Sequence, residues 1–199
     1  MTRLIVWRHG NTDWNAGSRV QGQTDIPLND RGRDQADAAA ELLVRLAPAA
    51  IVASDLSRAF DTATALATRT GLTIRPDQRL RERYFGEWQG LTMAEISTSR
   101  PDEHARWTAG ADVVGGGVET LDDLGKRVSD ALQDASRLGG TVVVATHGGA
   151  ARQGIGHLLG WRREEMRTLR GLANCHWAEL NHDESRGWKL TSYNAGVFA

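Results

Sequence analysis

The sequence predicts an α/β protein: a three-layer α/β/α sandwich around a mostly parallel central sheet. Three observations carry that expectation. Short apolar runs of strand length alternate with amphipathic stretches of helix length along the chain. The clearest runs, "LIVW", "AIVAS" and "GTVVVAT", are apolar throughout, as strands covered on both faces are. Only the C-terminal end reads as two strands joined by a short polar turn.

Leu4–Trp7 is the first buried strand. "NDRGRDQADAAAELLVRL" follows as a helix: Asn29 caps its start, Ala36, Ala39, Ala40, Leu43 and Leu46 recur at helical spacing, and Pro48 marks its end. Residues 50–54 form the second strand. "DLSRAFDTATALATRTG" is the second helix, with Asp55 near its cap and Gly71 closing it. "LTIRP" is a short third strand. From Arg79 to Gly117 the pattern is less regular. "LTMAEISTS" is helical, Pro101 restarts the chain, and "WTAGADVVGGG" reads as an exposed loop. "ETLDDLGKRVSDALQDASRL" places Leu121, Leu124, Val128 and Leu132 on one helical face. The strand "GTVVVAT" runs into the helix "HGGAARQGIGHLLG". "CHWAEL" and "WKLTSY" then form a hairpin.

Composition excludes several classes. The 199 residues fit one domain, with 40% apolar and 25% charged residues. A net charge of -1 gives no footprint for nucleic acid or an acidic membrane surface. The single cysteine, Cys175, allows no internal disulfide, which fits a reducing compartment; the expected localisation is cytoplasmic. No apolar stretch reaches signal-peptide or membrane-span length. There is no H-E-x-x-H, no Cys/His ligand spacing, no P-loop and no G-x-G-x-x-G, so neither a metal hydrolase nor a nucleotide-binding module is expected.

The chemistry lies at the strand ends. In open α/β sheets ligands sit beyond the carboxyl ends of the strands. The first strand runs into "RHG", the second into "SDLSRA", and the late one into "THGG". Two histidines and two arginines, His9, His147, Arg8 and Arg58, therefore point at one crevice. That set suits phosphoryl transfer, where catalysis is mostly positioning and charge stabilisation. Arg8 and Arg58 can fork onto phosphoryl oxygens. Asn15 and the backbone after Gly10 add neutral donors, and the helix opening at Gly148 offers its N-terminus. A neutral imidazole is a nucleophile near pH 7 if its second nitrogen keeps its proton, and Gly10 lets the backbone approach His9 for that bond. His147 is expected to bind the phosphoryl group as an imidazolium. Glu82, in "RLRERYFGEWQGL", is the candidate proton donor. Tyr84, Trp88, His104 and Trp107 can stack on a flat substrate face, although for Trp88 and Trp107 taken singly helix packing is the favoured reading.

With those residues in place, the sequence resembles the histidine phosphatase superfamily, also called phosphoglycerate mutase-like. "RHGNTDWN", "GQTDIPLNDRGRDQA", "ASDLSRAFDTA", "RERYFGEWQGLT" and "VATHGG" follow the family's order over nearly the whole chain. The resemblance implies a phosphohistidine on His9; a phosphate pocket of Arg8, Arg58 and His147; Glu82 as acid; and Asn15, Gln21 and Gly22 on the substrate side. It implies a small phosphorylated substrate, no cofactor and no metal, and leaves a homodimer open. Asn11 departs from the family's more usual Glu or Gln. The segment from Arg83 to Thr146 is short and carries the acidic, glycine-rich "AGADVVGGGVETLDD". A bisphosphate would want more positive charge there, so a phosphatase is expected over a cofactor-dependent mutase. "GSRVQGQTD", "RLRERYFGEWQGLT" and "NCHWAEL" are similar to the glucosyl-3-phosphoglycerate phosphatases of that family, and broad specificity stays open. The remaining alternative is a non-catalytic phospholigand-binding relative. The whole chain, 1–199, is expected to be one domain with 83–118 as a lid or specificity insert.

Overall fold

The computed structural model describes residues 2–113 and 115–197 of the chain. Six strands form one sheet in the order β3-β2-β4-β1-β5-β6. They span β1 Thr2–Arg8, β2 Ala50–Ala53, β3 Ile74–Pro76, β4 Thr141–Thr146, β5 Trp177–Asp183 and β6 Gly187–Ala195. The first four are mutually parallel; β5 and β6 add an antiparallel edge. That edge is the expected hairpin, with both strands longer than "CHWAEL" and "WKLTSY" suggested.

Alternation along the strands divides the core in two. Leu4, Val6, Val142 and Val144 pack against Leu124, Val128 and Ile155. Those come from α6 (Leu121–Ser136) and α7 (Gly148–Leu158). Ile5, Trp7, Ile51 and Val143 face the other way, against Ala36, Ala40, Leu43, Ala63 and Leu66. Those come from α2 (Asp30–Leu43) and α3 (Ser57–Thr70). The three layers follow.

At two helix boundaries the detail differs from expectation. α2 is α-helical only to Leu43; a 3₁₀ turn, Val44–Leu46, completes the expected span, and Ala47 at a left-handed φ of 47° ends it just before Pro48. α3 is not capped by Asp55, which pairs with Arg81 through both carboxylate oxygens. Leu56 stands at the N-cap and has no acceptor, so Asp25 from a distant loop takes both the backbone N–H and the hydroxyl of Ser57. Asn29 caps α2 as expected, accepting from the N–H of Gly32 at 2.9 Å.

The irregular middle has its own small core. Buried Trp88, Ile96 and Val113 pack with Phe85 and Trp107, and Trp88 donates to Glu103. Trp88 and Trp107 thus stack on each other's edges, at 5.7 Å between centroids. Two short helices carry this cluster, α4 (Met93–Ser99) and α5 (Pro101–Thr108). The brief helices α1 (Asp13–Ala16) and α8 (Arg163–Met166) had no clear sequence signal.

Candidate active site

β1 and β4 are adjacent and in register: Arg8 pairs with Thr146, so the next residues, His9 and His147, leave the sheet side by side. Their ring centroids are 5.2 Å apart, nearly edge to face. Both are buried, at 3% and 0% exposure, as is Arg58 at 0%. Arg58 comes from the second residue of α3, earlier in the helix than the sequence suggested. Four chemically loaded side chains from three distant segments therefore share one corner.

His9 Nδ1 lies 2.7 Å from the carbonyl of Gly10. A carbonyl can only accept, so Nδ1 holds the proton and Nε2 keeps its lone pair. Asn174 braces the turn: its amide donates to the carbonyls of His9 and Gly10 at 3.0 and 3.1 Å. The N–H of Gly10 donates to Thr62, whose hydroxyl donates to the carbonyl of Arg58. The nucleophile's turn and the arginine's helix are thus tied together.

Burial, then the charges of Arg58 and Arg8, hold His9 well below the ordinary histidine range. Burial, then Arg58, His9 and Arg8, do the same to His147. The groups the protein itself places around them thus favour the neutral form of both rings, which lends no support to the imidazolium expected of His147. His147 Nε2 meets the Ser54 hydroxyl at 2.9 Å, and its Nδ1 is buried without a partner.

Arg58 is held by carbonyls. Its terminal nitrogens donate to Thr24 at 2.9 Å and Gly22 at 2.7 Å, and burial pushes its pKa down to about 10. Gly22 thus serves through its carbonyl, at a left-handed φ of 56°. Arg8 donates to the carbonyl of Leu172, and its Nε is buried unpartnered. Gly148 lies under it: a Cβ there would be 3.4 Å from that Nε.

Glu82 sits at the start of α7. Its oxygens accept from the N–H groups of Gly149, Ala150 and Arg83 at 2.9, 2.9 and 2.8 Å. Gln21 is buried with its carbonyl oxygen unpartnered. Asn15 Oδ1 is engaged by the capping box of Thr12 and by Asn174, which leaves its amide N–H groups uncommitted. Tyr84 is not brought in. It is 44% exposed, and Phe85 lines the cavity beside Glu82 instead. Ser54, Thr62 and Asn174 went unnoticed in the sequence. Asn174 precedes "CHWAEL", and only the pairing of β5 with β1 places it under His9.

Among the described residues no three His, Cys, Asp or Glu side chains converge as metal ligands, and no helix is long and apolar enough to cross a membrane.

This fold and corner define a known class: the chain belongs to the histidine phosphatase superfamily (branch 1), whose model matches residues 4–196. Over 98% of this chain and 95% of its relative, it is 40% identical to a glucosyl-3-phosphoglycerate phosphatase of Mycobacterium tuberculosis. The solved structure of a mycobacterial glucosyl-3-phosphoglycerate phosphatase complexed with VO3 superposes with a TM-score of 0.90 at 39% identity, covering 98% of this chain and all of that one. A metal-independent phosphoserine phosphatase of Arabidopsis thaliana is 38% identical over 76% of this chain and 66% of its own length.

Proposed function

We propose that the protein is a metal-independent phosphatase that hydrolyses small phosphomonoesters through a phosphohistidine on His9, with glucosyl-3-phosphoglycerate as its substrate. The observation that carries the activity is the oriented imidazole: Nδ1 tied to the Gly10 carbonyl, Nε2 free, beside His147, Arg8 and Arg58. The substrate reading is supported by the near full-length likeness to phosphatases of that name.

His9 Nε2 attacks phosphorus, and the bond from phosphorus to the ester oxygen breaks. Arg8, Arg58 and one N–H of His147 take the charge on the equatorial oxygens. The Asn15 amide and the Gly148 N–H add neutral donors, the next two N–H groups of α7 being taken by Glu82. Gln21 and Gly22 form the substrate wall. Glu82 gives its proton to the leaving alkoxide. Water then enters, returns a proton to Glu82 and attacks the phosphoryl group on His9; orthophosphate leaves and the imidazole is neutral again. Each turnover so restores the proton on Glu82. Residues 83–118, held by the Trp88 cluster, act as the insert that shapes the alcohol side.

The test is release of p-nitrophenol from p-nitrophenyl phosphate in the presence of chelator, with trapping of an acid-labile phosphoryl adduct. Adduct and release are expected in the unsubstituted chain and neither in His9→Ala. Binding of phosphate without turnover would instead support a non-catalytic phospholigand protein, and transfer to an added glycerate rather than to water a mutase. Glu82→Gln is expected to slow esters of ordinary alcohols about 10²–10⁴-fold and p-nitrophenyl phosphate far less, since phenolate leaves without a proton. Equal losses remove Glu82 from the acid's role.

A further inference from the structure

Glu82 stands on irregular backbone. A 3₁₀ turn ends at Leu80, and residues 81–85 belong to no helix or strand. Such a stretch has no ladder to satisfy its carbonyls, so other donors must. Here side chains do so for every carbonyl from Arg79 to Glu82. Thr146 donates its hydroxyl to that of Leu80 at 2.7 Å. A single guanidinium takes the other three. Arg127, half-buried on α6, donates from one terminal nitrogen to the carbonyls of Arg79 and Arg81, both at 2.7 Å. Its other terminal nitrogen donates to the carbonyl of Glu82 at 2.9 Å.

The two remaining N–H groups of Arg127 go to the carboxylate of Glu119, from Nε at 2.6 Å and from the second terminal nitrogen at 2.8 Å. All five donors of the guanidinium are then engaged. Glu119 carries the hold past the acid. Its carboxylate accepts from the N–H of Tyr84 at 3.0 Å, its own N–H donates to the carbonyl of Tyr84 at 2.9 Å, and its carbonyl accepts from Arg83 Nε at 2.7 Å. Arg127 and Glu119 therefore grip the backbone before, at and after Glu82. The carboxyl group of Glu82 alone is left to reach the start of α7. Neither Arg127 nor Glu119 lines the cavity beside Glu82, so the pair touches no substrate.

We propose that Arg127, braced by Glu119, is the positioning residue of the catalytic acid: it fixes the backbone from which Glu82 reaches the leaving oxygen. This rests on the phosphatase reading with Glu82 as the acid. A proton donor must be held within a fraction of an ångström of its productive place, and irregular backbone does not supply that rigidity by itself. A planar fork of five donors reaches three carbonyls and a carboxylate together; a lysine ammonium offers three donors from one atom. The Glu82 carbonyl also accepts from Gln23 at 3.1 Å, so loss of Arg127 loosens the acid without releasing it. After burial, Arg58, His9 and Arg8, the charge of Arg127 also disfavours protonation of His147, an influence on the phosphoryl group that is common to every ester.

The experiment measures kcat/KM for 3-phosphoglycerate, whose alkoxide must be protonated, and for p-nitrophenyl phosphate, whose phenolate leaves unaided. The readout is the ratio of the two within each protein. Both esters give the same phosphohistidine, and kcat/KM ends at departure of the leaving group, so hydrolysis of the adduct does not enter. Arg127→Gln is expected to lower the ratio about 10- to 100-fold, the scale of a displaced catalytic group. Arg127→Lys should restore part of it. Inhibition by inorganic phosphate should change by less than about 3-fold, because the phosphate corner is untouched. In the Glu82→Gln background, Arg127→Gln should alter the ratio by less than about 2-fold, since the group it positions is gone. A smaller folded fraction cancels in every ratio. If Arg127→Gln gives no soluble protein, the Arg127→Lys ratio decides: a lowered one supports the proposal and an unchanged one overturns it. Equal losses on both esters in Arg127→Gln, the mark of a merely structural residue, overturn it. So does a further fall in the Glu82→Gln background. Absence of turnover of either ester by the unsubstituted chain overturns the phosphatase reading and this one with it, whereas turnover with an unaltered ratio overturns this one alone.

Discussion

The two corners at the ends of β1 and β4 carry the same dipeptide, His-Gly, on adjacent parallel strands, yet they are built differently. At the β1 corner the protein settles the tautomer: His9 Nδ1 donates to the Gly10 carbonyl, and Asn174 holds that carbonyl from the far side. At the β4 corner it does not. His147 meets only the Ser54 hydroxyl, which both donates and accepts, and its other nitrogen is bare. A ring whose lone pair is fixed in direction suits attack on phosphorus. A ring with an uncommitted nitrogen suits contact with a ligand that arrives. The glycines differ too. A Cβ on Gly10 would fall 2.3 Å from the carbonyl oxygen of Gly32, backbone against backbone, whereas one on Gly148 would meet Arg8 Nε at 3.4 Å.

Breaking each corner in turn tests that contrast. His9→Ala is expected to lower kcat by about 10⁴–10⁶-fold, the scale of losing a covalent nucleophile. His147→Ala should cost about 10²–10³-fold, the scale of one oxyanion contact, and should still form the phosphoryl adduct. Single-turnover trapping separates the two, and equal losses would erase the proposed division of roles. For stability, Gly10→Ala should cost about 1–3 kcal/mol in urea unfolding because neither backbone can give way, and Gly148→Ala well under that because a side-chain nitrogen can shift. Reversed magnitudes would mean that Gly32 moves freely.

How much of this was legible in the sequence follows from what periodicity carries. The strands that hold His9 and His147 are apolar throughout, and apolar runs are the strongest local signal. The arginine on α3 was legible for the same reason. What was hidden depended on pairing between distant segments. Asp25 caps α3 from 32 residues away, and Asn174 reaches Gly10 across 164. Neither separation leaves a local trace. The preference of His147 for its neutral form was hidden as well, because burial beside Arg58 is a tertiary fact that runs against the ordinary expectation for a phosphate-binding histidine. Tyr84 illustrates the converse: an aromatic beside the acid looked like a substrate platform, but it is its neighbour Phe85 that lines the cavity with Glu82. Asn174→Ala measures one hidden contact. Loss of its amide frees the Gly10 carbonyl to turn, so kcat is expected to fall about 10-fold with KM little changed, a loss that Asn174→Asp does not recover because it lacks the donor. A KM effect alone would make Asn174 a substrate contact instead.

The smallest expected effect is on acid stability, and its sign follows from the burial of both rings. In the unfolded chain a histidine takes up a proton near pH 6.5. In the folded protein His9 and His147 resist it, through burial first and then through Arg58. Below about pH 6.5 the unfolded state therefore binds more protons than the folded one, and stability falls as pH falls. Above that pH both states are neutral at these sites and the effect vanishes. Each ring contributes a slope of up to about 1.4 kcal/mol per pH unit. His147→Gln removes one of them, so unfolding free energies of the variant between pH 6.5 and 5 should fall less steeply than those of the unsubstituted protein by up to that amount. The His9→Gln variant should do the same, since both rings owe their neutrality to the same burial. Parallel slopes in variant and unsubstituted protein would mean that the ring is protonated in the folded state, which would return His147 to the imidazolium first expected of it and make the two corners more unlike still.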